Sequence, residues 1–158
     1  MKMIHMTVPG HEEATLEGYI LDCELKLGQN VNRPAIVVCP GGGYLYCSPR
    51  EGEPIALAFL PHGYNAFVLK YSVNRKKCFP GQLIEASAAI KHIKDHAEEY
   101  GIDSRRVCIY GTSSGGNTSL LVGLTGDDAR FKTEEYQEYS DAVQCVVECF
   151  GPTDLMKM

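Results

Sequence analysis

The chain alternates short apolar runs with segments whose apolar positions follow the helical period. Four apolar runs predict strands: residues 34–39, 66–71, 106–110 and 142–150. The first two are continuous, as in strands covered on both faces of a parallel sheet. Ahead of them, residues 3–25 roughly alternate between polar and apolar positions, and Pro9-Gly10 interrupts them. We therefore expect two antiparallel edge strands before the parallel part of the sheet.

Helices are predicted between these strands. The clearest carries Leu83, Ala86, Ile90, Ile93, Ala97 and Tyr100, spaced three or four residues apart on one core-facing stripe. An earlier helix begins at a Ser48-Pro49 capping sequence or one turn later at Pro54, and it ends near His62-Gly63. A third runs from residue 113 to about Leu124, followed by a polar surface excursion over 125–140. Strands alternating with helices predict an α/β fold with a mostly parallel sheet.

Composition narrows the class of protein. The 158 residues are enough for one domain, 1–158, and 44% of them are hydrophobic. A net charge of −5 argues against a nucleic-acid partner. No apolar run approaches the roughly 20 residues of a membrane span, and residues 1–5 do not resemble a signal peptide. We expect a cytoplasmic protein that does not bind membranes. The seven cysteines are interpreted as reduced, buried hydrophobic residues.

The strongest chemical motif is Gly111-Thr112-Ser113-Ser114-Gly115, a G-x-S-x-G sequence between a predicted strand and a predicted helix. That context is typical of a nucleophile elbow, in which a strained turn lifts a serine hydroxyl clear of the sheet. A Cβ at either glycine would collide with neighbouring backbone. Ser113 is therefore the candidate nucleophile, and the alternative is a structural glycine-rich turn with a solvent-facing serine.

A second motif, Gly41-Gly42-Gly43, follows the first buried strand. Loops at the carboxyl ends of neighbouring parallel strands emerge on the same side of the sheet. The backbone N–H groups of Gly42, Gly43 and Ser114 are therefore predicted to form an oxyanion hole. A phosphate-binding loop is the competing interpretation, but neither G-K-[ST] nor G-x-G-x-x-G is present after a strand.

These motifs resemble α/β-hydrolases of the esterase/lipase type, particularly the carbohydrate-esterase (acetyl-xylan-esterase-like) branch. The resemblance covers residue 14 to the end and rests on 39–44, 50–54, 67–72, 101–103, 111–116 and 151–155. It implies a three-layer α/β-hydrolase sandwich that hydrolyses small, sugar-bound or free, acyl esters through an acyl-enzyme, with no cofactor or metal. Pro40 stands where related lipases carry histidine, a replacement familiar in this branch.

The resemblance also implies a later acid and histidine, in the order Ser, acid, His. Asp154 follows the last predicted strand and is the candidate acid. The five histidines are expected far from Ser113: His62 at the opposite end of the sheet, His5 and His11 in the edge strands, and His92 and His96 on a solvated helix face. The i, i+4 spacing of the last two also fits a metal pair, but the neighbouring Lys91 and Lys94 favour the solvated face.

Eight residues follow Phe150, whereas another strand with its crossover helix needs roughly 30. We therefore expect a C-terminally truncated esterase whose sheet is incomplete at its C-terminal edge. The exposed last strand would favour self-association. Two functions remain open: a hydrolase that is weak alone or completed by another segment, and a non-catalytic remnant that binds a ligand or partner.

Overall fold

The computed structural model describes residues 1–22, 32–74 and 77–157. Six strands occupy Lys2–Val8 (β1), His11–Ile20 (β2), Arg33–Cys39 (β3), Asn65–Lys70 (β4), Ile102–Thr112 (β5) and Cys145–Cys149 (β6). Four α-helices occupy Glu53–Phe59 (α1), Gly81–Asp95 (α2), Ala97–Tyr100 (α3) and Ser114–Thr125 (α4). Short 3-10 turns lie at Pro49–Glu51, Leu60–His62, Ala129–Phe131 and Leu155–Lys157.

The strands form one sheet in the order β1-β2-β4-β3-β5-β6. The β1–β2 and β2–β4 pairs are antiparallel, whereas β4–β3, β3–β5 and β5–β6 are parallel. This is the predicted mostly parallel sheet with an antiparallel edge, and β6 forms its other edge in the described chain. The part of the edge-strand prediction that covers residues 23–25 lies outside the described residues.

The sheet is covered by helices on both faces, which confirms the three-layer α/β sandwich. Alternate residues of β3 point to opposite faces, so Val37 packs in the cluster that contains α2 residues and Val38 in the cluster that contains α1 residues. Both are fully buried. The apolar pattern of β3 is continuous because both faces of the strand are covered, as predicted.

Several element boundaries differ from the sequence prediction. The Ser48 side chain makes no cap hydrogen bond, and α1 begins one turn later with Pro54 in its first turn. The long helix divides at His96 into α2 and α3, and Gly101 closes it with a φ of 61°. The strand predicted over 106–110 extends over Ile102–Thr112, and the one over 142–150 contracts to Cys145–Cys149.

The largest correction concerns α2, whose polar side was predicted to face solvent. Lys91 is 1%, His92 4% and Lys94 8% exposed. The residues between α4 and β6, here called the cover segment (126–144), lie over this side of the helix. The Lys94 amine donates to the carbonyls of Ser140 (2.8 Å) and Ala142 (2.7 Å). The excursion itself lies at the surface, as predicted, with Thr133 as its one buried residue over 125–140. The solvated-face prediction for α2 is wrong, because polar contacts dock this segment on the helix.

The cysteines also depart from the uniform burial expected of them. Cys39 is buried, and Cys47, Cys108 and Cys149 are half-buried. Cys78 and Cys145 are exposed. Cys145 is exposed because no described element covers that face of the edge strand β6. Cys23 lies outside the described residues.

Candidate active site

Ser113 occupies a sharp turn between β5 and α4. Its φ of 54° and ψ of −120° are far from the conformations that non-glycine residues prefer, so the turn is strained. A Cβ on Gly111 would lie 2.1 Å from the Gly115 carbonyl oxygen, and one on Gly115 would lie 2.0 Å from that of Cys39. The glycines thus let the start of α4 pack directly against β5 and β3.

The glycine loop lies beside this turn. A Cβ on Gly41 would lie 3.0 Å from the Cβ of Ser113 and 2.7 Å from the Thr112 carbonyl oxygen. The Gly41 N–H donates to Glu51 Oε2 at 2.8 Å, so this carboxylate fixes the entry to the loop. Close packing of the loop against the elbow therefore depends on the missing side chain at position 41.

The three predicted oxyanion donors all belong to these adjacent segments. Gly42 and Gly43 have φ values of 136° and 61°, which glycine adopts readily. Ser114 is the first residue of α4, where backbone N–H groups have no partner within the helix. Among the hydrogen bonds of the described residues, none uses the N–H of Gly42, Gly43 or Ser114. These N–H groups are thus available to an external acceptor.

Asn117 joins the three segments around the elbow. Its backbone N–H donates to the Ser113 carbonyl at 3.0 Å, and its Oδ1 accepts from the Tyr44 hydroxyl at 2.6 Å. Its Nδ2 donates to the Pro152 carbonyl at 2.7 Å. The glycine loop, the nucleophile turn and the segment after β6 are therefore held by one residue that is 8% exposed.

Tyr71 makes a similar connection deeper in the sheet. Its hydroxyl donates to the Pro40 carbonyl at 2.6 Å and lies 3.1 Å from Ser114 Oγ. Burial raises the pKa of Tyr71 well above its ordinary value, so the hydroxyl remains a donor at every physiological pH. Sequence analysis gave neither Tyr71 nor Asn117 a role in the site. Asn117 comes four positions after Ser113, and Tyr71 directly follows the buried strand β4.

A pocket of about 270 Å³ opens beside the elbow. Its lining is largely apolar and includes Phe79, Leu83, Leu121 and Leu155, with Tyr44 and Asn117 on the side of the elbow. A larger cavity of about 440 Å³ lies near Tyr100 and Ile102, at the opposite end of β5 from Ser113. The smaller pocket therefore adjoins the start of α4 next to the elbow, through Asn117 and Thr118.

Comparison with known proteins shows which family the chain belongs to. A model of the BD-FAE family matches residues 21–158. The chain belongs to the BD-FAE family. It is similar to the α/β hydrolase MGS-M1 from a Medee basin deep-sea metagenome library, with 39% identity, a TM-score of 0.74, and coverage of 82% of this chain and 52% of that one. The resemblance to α/β-hydrolases drawn from the motifs is confirmed.

Two further relatives define the branch. An acetyl ester-xyloside bifunctional hydrolase from Caldicellulosiruptor lactoaceticus is 30% identical, with a TM-score of 0.82 over 99% of this chain and 59% of that one. Endo-1,4-beta-xylanase B of Butyrivibrio fibrisolvens is 34% identical over 114 residues, which are 70% of this chain and 18% of the xylanase. The BD-FAE chain thus spans less than two thirds of the length of each relative.

Asp154, the candidate acid, lies after β6 in the BD-FAE chain. Its side chain is 44% exposed and pairs with Lys157 Nζ at 2.9 Å, and its Oδ1 accepts from the Met156 N–H at 3.1 Å. No hydrogen bond of the described residues connects it to a histidine. Its partners therefore belong to its own turn rather than to Ser113.

The five histidines also lie away from Ser113, as predicted, although not all for the predicted reason. His5 lies 3.4 Å from Glu17, and His11 Nδ1 lies 2.9 Å from Lys77 Nζ. His62 is exposed in the turn before the amino end of β4, at the opposite end of the sheet from Ser113. No hydrogen bond of the described residues joins a histidine to Ser113.

The remaining pair, His92 and His96, lies beside the cover segment, with ring centroids 4.1 Å apart and planes tilted by 32°. His92 Nδ1 lies 2.9 Å from the Tyr136 hydroxyl, and its Nε2 lies 3.1 Å from that of Tyr100. Burial, with the adjacent His96, lowers the pKa of His92 to about 4. The solvated-face interpretation is therefore wrong for His92. The described residues contain no group of three or more potential metal ligands.

In the described part of the chain, no helix is long and apolar enough to cross a membrane.

Proposed function

We propose that the BD-FAE chain carries the nucleophile and oxyanion-binding part of a serine ester hydrolase. Ser113 is the nucleophile, and the N–H groups of Gly42, Gly43 and Ser114 receive the oxyanion. The substrates are small acyl esters, including sugar-bound ones. The observation that carries the proposal is the strained conformation of Ser113 directly beside Gly41, since strain of this kind is maintained where a side chain must be presented.

The proposed reaction is acyl transfer. The Ser113 hydroxyl attacks the ester carbonyl, its proton passes to a base, and negative charge develops on the carbonyl oxygen. Preorganised backbone donors stabilise that charge, and removing one such donor typically costs about 10²–10³-fold in rate. The alkoxide leaves as an alcohol, and water then releases the acid from the acyl-enzyme. The free N–H groups at Gly42, Gly43 and Ser114 support the oxyanion step.

The base is the component for which this sequence offers no candidate near Ser113. Four of the five histidines interact with residues other than Ser113, and His62 lies at the opposite end of the sheet. We therefore propose that the base comes from residues outside these 158. Without it, an oxyanion hole and substrate binding still give about 10³-fold over water. The lack of a candidate base near Ser113 also favours a second candidate function, a non-catalytic module that binds an ester or a partner in the 270 Å³ pocket.

Acetylation by p-nitrophenyl acetate separates the two functions. If Ser113 is a nucleophile without a base, it is acetylated and then deacetylated slowly, because water needs the same base. Peptide mass spectrometry should find the acetyl group on Ser113, and Ser113→Ala should lower p-nitrophenol release. Ser104→Ala, at the other end of β5, is the matched control. Equal rates for wild type and Ser113→Ala, with no preferential acetylation of Ser113, would favour the binding module.

A further inference from the structure

Two cysteines face each other across the β5–β6 pair. Cys108 of β5 and Cys145 of β6 are direct partners in the parallel register. Partners in neighbouring strands lie about 4.8 Å apart and point to the same face of the sheet. A disulfide needs a Cα separation of about 4.4–6.8 Å. The backbone therefore already holds the pair within the range of a covalent link.

The two thiols are neighbours that influence each other. Burial raises the pKa of the Cys108 thiol, and the adjacent Cys145 raises it further. Cys108 is half-buried and packs against the hydrophobic cluster on the α1 side of the sheet, whereas Cys145 is exposed. The pair thus combines an exposed thiol, which oxidants in solvent can reach, with a less exposed thiol on the neighbouring strand.

The other cysteines of the described chain lack this arrangement. Cys149 is in register with Thr112. Cys39 is fully buried, and burial raises its pKa to about 12. Cys47 is half-buried with its thiol directed to the Tyr71 carbonyl at 3.7 Å. Among the described residues, only Cys108 and Cys145 combine a paired register of two cysteines with an exposed partner.

We propose that Cys108 and Cys145 form a redox-active dithiol that hydrogen peroxide converts to a disulfide between β5 and β6. The exposed Cys145 thiolate attacks one peroxide oxygen, the O–O bond breaks, and hydroxide leaves, giving a sulfenic acid. Cys108 sulfur then attacks the sulfenic sulfur, the S–O bond breaks, and the hydroxyl leaves as water with the Cys108 proton. Two thiols and one peroxide give one disulfide and two waters.

The link would join the strand that ends in the elbow to the sheet edge. Cys145 lies four residues before Cys149, whose carbonyl accepts the Ser113 N–H at 2.8 Å. The disulfide would therefore fasten β6, which has one bonded neighbour in the described chain, to the base of the nucleophile turn. This inference does not depend on the proposed esterase function.

The test is peroxide oxidation of the dilute, fully reduced chain, followed by alkylation and trypsin digestion. Cleavage after Arg106, Arg130, Lys132 and Lys157 places Cys108 in peptide 107–130, and Cys145 together with Cys149 in peptide 133–157. We expect these two peptides linked within a monomer, at a mass about 2 Da below their sum. The link should disappear in Cys145→Ser and persist in Cys149→Ser.

Three results would overturn the inference: no linked peptide in the oxidised wild type, a link that survives Cys145→Ser but not Cys149→Ser, or a link found only between two chains on a non-reducing gel. A second measurement avoids substitution altogether. Brief alkylation of the native wild-type chain before peroxide should modify exposed Cys145 and prevent the link. A link formed at full yield despite complete Cys145 alkylation would also contradict the proposal.

Discussion

The elbow and the α2–cover contact are both tightly packed, but different kinds of interaction determine them. At the elbow, backbone meets backbone, and the absence of a Cβ at Gly115 permits the contact. Under the cover segment, charged and polar side chains of α2 are buried against partners 44 to 54 residues away, including Tyr136, Ser140 and Asp141. Backbone steric rules therefore specify the first region, and distant polar side-chain partners specify the second.

The largest expected effect is at Gly115. Its Cβ in Gly115→Ala would lie 2.0 Å from the Cys39 carbonyl oxygen, so backbone has to move. We expect a loss of at least about 3 kcal/mol in the free energy of unfolding, measured by urea denaturation. Gly43→Ala is the matched control: its φ is 61° but nothing lies within 4 Å of the new Cβ, so the loss should be about 1–2 kcal/mol. Equal losses in the two variants would show that the steric contact at Gly115 is not what makes its substitution destabilising.

That comparison also explains how much of the site could be predicted. The spacing of Gly111, Ser113 and Gly115 indicates the turn, because the motif itself requires a glycine at 111, where a Cβ would meet the Gly115 carbonyl oxygen. Gly115 meets the Cys39 carbonyl of β3, a contact that follows from the order of the parallel strands. The glycine loop could be placed beside it because parallel strands bring their carboxyl ends together. The role of Asn117 depends on Tyr44 and Pro152, which lie 73 and 35 residues away, and no short pattern reports such contacts.

The fold was predictable to a similar extent. Apolar periodicity gave the strand and helix order, and it failed for α2, whose buried side carries Gln82, Glu85, Lys91, His92 and Lys94. A polar residue is buried where its hydrogen bonds are satisfied. Glu85, for example, accepts from the Ser72 N–H at 2.7 Å and lies 3.2 Å from Lys77 Nζ. Those partners come from the loop before the helix, which periodicity does not describe.

The next effect, a pH dependence, tests the α2–cover contact. The pKa of His92 is about 4 in the folded chain, against 6.5 for the ordinary side chain. The unfolded chain therefore binds this proton first as pH falls, and stability is lost between about pH 6.5 and pH 4. His96, Asp95 and Glu99 are the charged neighbours, and the two acidic ones partly oppose the shift. From pH 7 to pH 5 the contribution is about 2 kcal/mol.

Urea denaturation of wild type and His92→Gln at pH 7 and pH 5 isolates this contribution. His11, whose pKa is also lowered by burial, affects both proteins alike and cancels in the difference. The exposed His62→Gln should retain the wild-type pH dependence. If His92→Gln lost as much stability on acidification as wild type, the cover segment would not be burying a neutral imidazole.

The smallest expected effect is at the edge strand β6, outside both the elbow and the α2–cover contact. Val147 of β6 is 37% exposed, and Phe150 and Met156 beyond it are 91% and 93% exposed. An unpaired strand edge with apolar neighbours favours pairing with another chain, so we expect weak self-association through β6.

Sedimentation velocity at micromolar concentration should show dimers, and Val147→Lys should shift the distribution towards monomer, because a charge on an edge strand disfavours pairing. Met3→Lys on the opposite edge strand, where Met3 is 64% exposed, is the matched control. A wild-type chain that sediments as a monomer would rule out this edge as a contact between copies, whereas equal shifts in both variants would point to a general effect of added charge.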